Sequence, residues 1–90
     1  MAHAIREKTK LLARVRRIRG QVEAIERALD AEIGCADVLQ LVASVCGAVN
    51  CLTVELIEDH LRSHVVAARS NCDRAAGAEE LIDVVRTYLK

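Results

Sequence analysis

The chain has 90 residues, no net charge and a hydrophobic content of 52%. This length predicts a single domain over residues 1–90, and so small a domain depends on oligomerisation, a metal or disulfides for stability. Proline, phenylalanine and tryptophan are absent, which favours an all-α fold with an aliphatic core and with subunit interfaces that cover the apolar excess. The balanced charge argues against an indiscriminate polycation.

Basic residues are concentrated at the N-terminal end. Residues 1–20 contain seven basic residues and one acidic residue, a net charge of +6, whereas residues 21–90 carry a net charge of −6. This asymmetry indicates an anionic partner at the basic end.

Residues 5–30 predict the first helix, because apolar residues recur at spacings of four and three, the pattern of a coiled-coil seam. A turn at residues 31–34 predicts that the second helix returns beside the first as an antiparallel hairpin. The seam consists of Leu11, Val15, Ile18, Val22, Ile25 and Leu29.

Residues 36–67 predict a second helix that is apolar on nearly every face, which indicates packing against the first helix and against another subunit. Residues 70–77 predict a polar linker, and residues 79–89 a short third helix. The expected protomer is therefore a helical hairpin followed by a short third helix.

The N-terminus is polar and charged, so no signal peptide is predicted, and no apolar run approaches the roughly 20 residues of a membrane span. We expect a cytoplasmic protein without membrane contact, and nothing indicates a protein partner other than copies of the chain. In that compartment the four cysteines are thiols rather than disulfides.

Cys35, His60 and His64 have metal-binding side chains, but one chain cannot easily bring them together. The 25 residues from Cys35 to His60 would span roughly 37 Å of helix, whereas metal–ligand bonds are about 2.0–2.3 Å long. If two second helices pack antiparallel about a two-fold axis, Cys35 of one chain meets both histidines of the other. The one-turn spacing of the histidines is typical of chelation, although surface histidines also show it.

The hairpin also places His3 at the histidine end of the chain. Removal of Met1 would give Ala2 a free amine, which could chelate a divalent cation together with this imidazole; a disordered tail is the alternative. Three imidazoles and one thiolate suit Ni(II), Co(II) and Zn(II), whereas Cu(I) prefers more thiolate.

Lys10, Arg14 and Arg17 lie on one face of the first helix, and Arg16 and Arg19 lie on flanking surfaces. A solvated face is the ordinary explanation, but the near absence of acids in residues 1–20 favours phosphate binding. No helix-turn-helix, zinc-finger or ribbon motif is present, so DNA contact would depend on backbone phosphates and groove shape.

Enzymatic functions find little support in this sequence. It lacks a glycine-rich phosphate loop, a nucleophile elbow and a paired-carboxylate pocket, and a short helical hairpin offers little concave volume. Cys46 and Cys51, five residues apart, are interpreted as packing residues rather than ligands, and Cys72 as an exposed linker thiol.

The segment RVRRIRGQVE at residues 14–23 resembles the first-helix motif of the CsoR/RcnR family of bacterial metal- and formaldehyde-responsive repressors. Cys35 and the segments 43–50, 58–61 and 85–90 extend this resemblance over nearly the whole chain. The resemblance implies an antiparallel dimer that forms a four-helix bundle, and a dimer of dimers that makes a homotetramer. Such tetramers bind operator DNA when unloaded and release it when the effector binds. Lys90 is a secondary candidate for contact with DNA phosphates, together with Arg16 and Arg19.

His3, Cys35, His60 and His64 resemble the nickel/cobalt branch of this family. The copper(I) branch has a second cysteine where this chain has His64. The formaldehyde branch uses Cys35 and the N-terminal amine, commonly with a glutamate at position 64. The resemblance therefore favours a Ni(II)- or Co(II)-responsive repressor, with a formaldehyde sensor that uses Ala2 and Cys35 as the alternative; Zn(II) and Cu(I) stay open as effectors.

Two positions depart from the family pattern. Cys46 stands where an arginine is expected, which would weaken one DNA contact, and Cys51 stands where a glycine is expected. Cys72 resembles a linker cysteine of formaldehyde sensors and supports that alternative.

Overall fold

A computed structural model describes residues 7–89 of the chain, and in that range it contains three α-helices and no strand. Helix α1 spans Lys8–Asp30, α2 spans Cys35–Leu61 and α3 spans Asn71–Tyr88. A π-helical segment, Arg62–Val66, follows α2 directly. The all-α, three-helix protomer is therefore confirmed, while the dimer and the tetramer stay predictions.

The chain divides into two compact units, and the boundary between them falls inside α2. One unit spans Glu7–Thr53, and the described part of the other spans residues 54–89. The expectation of a single domain stays a prediction.

In the unit Glu7–Thr53, the turn predicted at residues 31–34 is confirmed. The Ile33 amide donates to the Ala28 carbonyl at 3.2 Å, and the Glu32 amide donates to the Leu29 carbonyl at 3.1 Å. This pair of hydrogen bonds satisfies the carbonyls at the end of α1 and requires a left-handed residue, which is Glu32 with φ 55°.

A side-chain hydrogen bond joins the two arms of this unit. Gln21 Nε2 donates to Ser44 Oγ at 3.3 Å. Gln21 precedes the turn by as many residues as Ser44 follows it, which is the pairing of an antiparallel hairpin.

The apolar seam of α1 separates into two rows with different exposure. The row that is buried or half-buried within the chain consists of Leu11, Ile18 and Ile25. The exposed row consists of Val15 at 45%, Val22 at 49% and Leu29 at 60% exposure. Exposed aliphatic residues at heptad spacing are typical of a packing surface, and this half of the seam stays uncovered in the single chain.

In the other unit, α3 begins at Asn71, eight residues before the helix that was expected at 79–89. Ser70 is its N-cap, and Ser70 Oγ accepts a hydrogen bond from the Asp73 amide at 3.0 Å. The prediction of a linker over residues 70–77 was therefore wrong, because its polar residues cap and begin a helix, where such residues are favoured.

The second helix also differs from the expectation of a regular helix over 36–67. Regular α-helix ends at Leu61, and the backbone continues as the wider π-helical segment to Val66. π-helical turns inside or at the end of α-helices are rare and are frequent at functional sites. This one contains His64.

The helical stretch Cys35–Val66 is long and apolar enough, by length and composition alone, to cross a membrane. This finding corrects the expectation that no stretch approaches a membrane span. Polar residues such as Ser44 and Asn50 interrupt the apolar run, but apolar residues outnumber polar ones over the helix. A helix packed between subunits has the same composition, and no residue of α2 is buried in the single chain.

Candidate metal centre and nucleic-acid interface

His60 and His64 form a pair of neighbouring imidazoles. His60 lies in the last turn of α2 and His64 in the π-helical segment. Their ring centroids are 4.8 Å apart and the rings are inclined by 45°. This distance gives the pair the proximity that shared coordination requires. Both side chains are partly buried.

The His60 ring is held by α3. Its Nε2 lies 2.8 Å from the Gly77 carbonyl oxygen and 3.8 Å from Glu80 Oε1, a distance beyond hydrogen-bond range. A carbonyl oxygen only accepts, so Nε2 must carry the proton. In the neutral ring Nδ1 then keeps its lone pair, and Nδ1 is the nitrogen that can ligate a metal.

The backbone of His64 packs against the same residue of α3. A β-carbon placed on Gly77 would overlap the His64 carbonyl oxygen and would lie 2.8 Å from the carbonyl carbon. Gly77 is the buried residue of α3, so both histidines contact one point on this helix.

Arg74 fastens the start of α3 to the end of the π-helical segment. Its Nε donates to the Val65 carbonyl at 3.1 Å and its Nη2 to the Ala68 carbonyl at 3.2 Å. Its Nη1 donates to Asn71 Oδ1 at 2.8 Å. The guanidinium thereby adds hydrogen bonds to carbonyls near the end of the helical stretch, where intrahelical donors run out.

The remaining candidate ligands lie elsewhere or outside the described residues. Cys35 is the first residue of α2 and an exposed free thiol, at the end of that helix opposite His60. Ala2 and His3 lie outside the described range 7–89. Within that range of one chain, no three His, Cys, Asp or Glu side chains converge on a common point.

The basic candidates lie on α1. Lys10, Arg16, Arg17 and Arg19 are exposed, and Arg14 is half-buried. The helix is uninterrupted from Lys8 to Asp30, so the spacing of Lys10, Arg14 and Arg17 keeps these three on one face. Lys90 lies outside the described residues.

The other cysteines are all exposed free thiols in the single chain. Cys46 and Cys51 lie on α2, so their interpretation as packing residues depends on an assembly. Cys72 lies in the first turn of α3 and not in a linker, which corrects its expected location.

Gly77 and Glu80 lie beside His60, and Arg74 contacts the backbone directly after His64. None of the three was predicted from the sequence. Gly77 acts through its carbonyl and through its lack of a side chain, and neither leaves a pattern in the sequence. Arg74 follows Ser70 and Asn71 in a capped first turn, and recognition of that cap would have placed it on α3.

A profile of the metal-sensitive transcriptional repressor family matches residues 7–87 of this chain. The transcriptional repressor RcnR of Citrobacter koseri is 42% identical over 90 residues, and the match covers 100% of each chain. A Serratia marcescens protein described as an uncharacterized protein in the bioA 5' region is 48% identical over 91 residues, again over 100% of both chains.

A solved structure shares both the fold and the sequence. It is a variant of the formaldehyde-responsive regulator FrmR from Salmonella enterica serovar Typhimurium, in which a glutamate is replaced by histidine. The TM-score is 0.86 at 43% identity, over 97% of this chain and 99% of that one.

These similarities cover the whole helical region that carries the histidine pair and the basic face of α1. Members of the matched family are transcriptional repressors, which act on DNA, and they are not enzymes. The expectation that this chain is not an enzyme is thereby confirmed. The chain belongs to the metal-sensitive transcriptional repressor family, the CsoR/RcnR family.

Proposed function

We propose that this repressor releases operator DNA when Ni(II) or Co(II) binds between two of its chains. Cys35 of one chain and His60 and His64 of another are the ligands, and His3 with the N-terminal amine completes the site. The observation that carries this proposal is the histidine pair, in which the Gly77 carbonyl accepts a hydrogen bond from Nε2–H of His60 and leaves the Nδ1 lone pair for a metal.

The ligand types suit this effector. Ni(II) and Co(II) accept imidazole and thiolate donors, and amine or water ligands can complete a higher coordination number. Zn(II) accepts the same donors, whereas one thiolate among imidazoles is a poor match for Cu(I). Affinity alone does not select among these ions, so the preference for Ni(II) and Co(II) rests on the presence of His64.

The proposal requires an assembly, and the apolar surface of the chain supports one. The exposed row Val15, Val22 and Leu29 and the apolar faces of α2 stay accessible in one chain. An antiparallel pairing of two chains would cover them and form two equivalent sites. We propose an antiparallel dimer with a four-helix bundle, and a homotetramer made of two such dimers, in the cytoplasm.

In the unloaded state, the basic face of α1 contacts the DNA backbone. Lys10, Arg14 and Arg17 face the phosphates, and Arg16, Arg19 and Lys90 add flanking contacts. Effector binding favours DNA release because the effector binds more tightly to a shape of the tetramer whose basic faces do not match DNA than to the DNA-binding shape. The difference in affinity sets how far the equilibrium moves.

Subunit mixing tests the two-chain site. Cys35→Ala and His60→Ala proteins should each lose nickel binding as homo-oligomers. Unfolded together and reassembled, they should regain one intact site in each heterodimer, because the His60→Ala chain still supplies Cys35 and its partner still supplies His60. Each variant reassembled alone is the control, and a mixture that binds no more nickel than the controls would contradict the shared site.

A formaldehyde sensor is the second candidate function, and the similarity to the formaldehyde-responsive regulator favours it. In this reaction the Cys35 thiolate adds to formaldehyde, and the N-terminal amine then displaces water to leave a methylene bridge between sulfur and nitrogen. Intact-mass analysis should then show a gain of one carbon per site that Cys35→Ala abolishes. Absence of that adduct at an aldehyde concentration that leaves lysines unmodified would contradict this candidate.

A further inference from the structure

We infer that Gly77 is a positioning residue for both histidines of the proposed effector site, an inference that rests on the proposed function. Its carbonyl accepts a hydrogen bond from His60 Nε2 at 2.8 Å. Its α-carbon lies against the backbone of His64. One residue of α3 thus orients the His60 ring and fixes the distance between α3 and the segment that carries His64.

No other residue type fits at this position without movement of the backbone. An added β-carbon would overlap the His64 carbonyl oxygen and would lie 2.9 Å from the His64 β-carbon. The nearest atoms belong to the main chain of His64, so they cannot rotate away as a flexible side chain would. The helical glycines Gly20 and Gly47 have no such neighbour, since nothing lies within 4 Å of the corresponding β-carbon positions.

Movement of α3 at Gly77 would change the hydrogen bond of His60. Arg74 holds the first turn of α3 to the carbonyls of Val65 and Ala68, so α3 stays attached at its start while a side chain at 77 pushes the next turn outward. The acceptor for Nε2 then withdraws, and the ring loses the contact that fixes its tautomer. Partners that orient a ligating histidine in this way contribute about 10- to 100-fold to metal affinity.

The test is ¹⁵N NMR of the His60 ring in the metal-free protein, together with Ni(II) titration of the same samples. In the wild type we expect a single tautomer protonated on Nε2. In Gly77→Ala we expect a mixture of tautomers and a nickel affinity at least about ten-fold lower, with helix content preserved by circular dichroism.

Ala76→Gly is the matched control. Ala76 is exposed and adjacent to Gly77, and the change weakens the helical propensity of α3 without adding an atom. It should keep the Nε2 tautomer and the nickel affinity of the wild type. Equal losses in both variants would show that α3 stability, and not the position of Gly77, controls the site, which would overturn the inference.

The wild-type spectrum decides the inference even if Gly77→Ala fails to fold. A His60 ring protonated on Nε2 alone supports the role of the Gly77 carbonyl, because a free neutral imidazole populates both tautomers. A mixture of tautomers, or a ring protonated on Nδ1, overturns it. If the wild type binds no nickel or cobalt, the proposed function fails, while the tautomer comparison between Gly77→Ala and Ala76→Gly still decides whether Gly77 positions His60.

Discussion

His60 and His64 are equivalent in residue type but differ in what holds them. The His60 ring contacts α3 through Nε2, and the backbone of His64 lies against Gly77 of the same helix. The His60 ring is thus oriented in the metal-free chain, and His64 lies in the π-helical segment. Position 64 is also the one at which the resemblance separates the nickel/cobalt branch from the copper and formaldehyde branches.

The proposed role of His64 predicts that His64→Ala lowers Ni(II) and Co(II) affinity at least about ten-fold, because one of the imidazole ligands is removed. Titration calorimetry under anaerobic conditions measures the loss. Arg62→Ala is the control, since Arg62 is an exposed residue of the same π-helical segment and is assigned no ligand role. Unchanged affinity in His64→Ala, or an equal loss in Arg62→Ala, would remove His64 from the ligand set.

At the scale of the helices, the start of α3 depends on one serine. Ser70 Oγ accepts a hydrogen bond from the Asp73 amide. Ser63 offers a contrast, because its Oγ is buried with no hydrogen-bond partner among the described residues. Removal of an N-cap exposes an orphan amide, whereas removal of an unpaired buried hydroxyl relieves a desolvation cost.

We therefore predict that Ser70→Ala lowers the free energy of unfolding by about 1 kcal/mol, and that Ser63→Ala leaves it unchanged or slightly raised. Chemical denaturation at one fixed protein concentration measures both, because the stability of an oligomer depends on concentration. A larger loss in Ser63→Ala than in Ser70→Ala would contradict the assignment of Ser70 as the cap.

On α1, the proposed DNA contacts lie in the N-terminal half of the helix. Arg17→Ala should weaken operator binding and reduce the slope of log affinity against log salt by about one, the effect of a single lost phosphate contact. Arg27→Ala is the matched control, because Arg27 is an exposed arginine in the last turn of the same helix. An unchanged salt slope in Arg17→Ala, or equal slopes in the two variants, would argue against a phosphate contact at Arg17.

The helices differ in how well the sequence predicts them. The heptad seam predicts α1, and the segment from Ala31 to Gly34 predicts the turn, because both signals are local. The start of α3 was misplaced because Asn71, Asp73 and Gly77 are residue types that also break helices. Gly77 lies inside α3 because the backbone of His64 approaches it closely. That contact is non-local, so it cannot be predicted from the residue types around position 77.

The candidate site was predicted as a set of residues but not as a geometry. The spacing of His60 and His64 identifies the pair, and helix length identifies the need for a second chain. The π-helical segment and the acceptor for His60 Nε2 were not predicted, since both arise from how α3 packs on the end of α2. Residue type indicates which groups bind a metal, and packing determines which nitrogen is presented.

At the scale of the whole molecule, the chain buries little of its apolar surface. Among residues 7–89 the buried residues are Leu11, Ala28 and Gly77, whereas Leu39 is 62% exposed and Val66 is 76% exposed. Exposed aliphatic surface on this scale marks an interface. The proposed assembly would cover this surface, and it would bring Cys35 of one chain to the histidine pair of another.

In the proposed function, effector binding at the shared site releases operator DNA. The most direct measurement is an anaerobic operator gel shift with Ni(II), Co(II), Cu(I), Zn(II) and formaldehyde compared side by side, for the wild type and for Cys35→Ala. We predict that Ni(II) and Co(II) abolish operator binding by the wild type and leave Cys35→Ala bound. Unchanged operator affinity at saturating Ni(II) and Co(II), or release by formaldehyde alone, would contradict a Ni(II)- or Co(II)-responsive repressor.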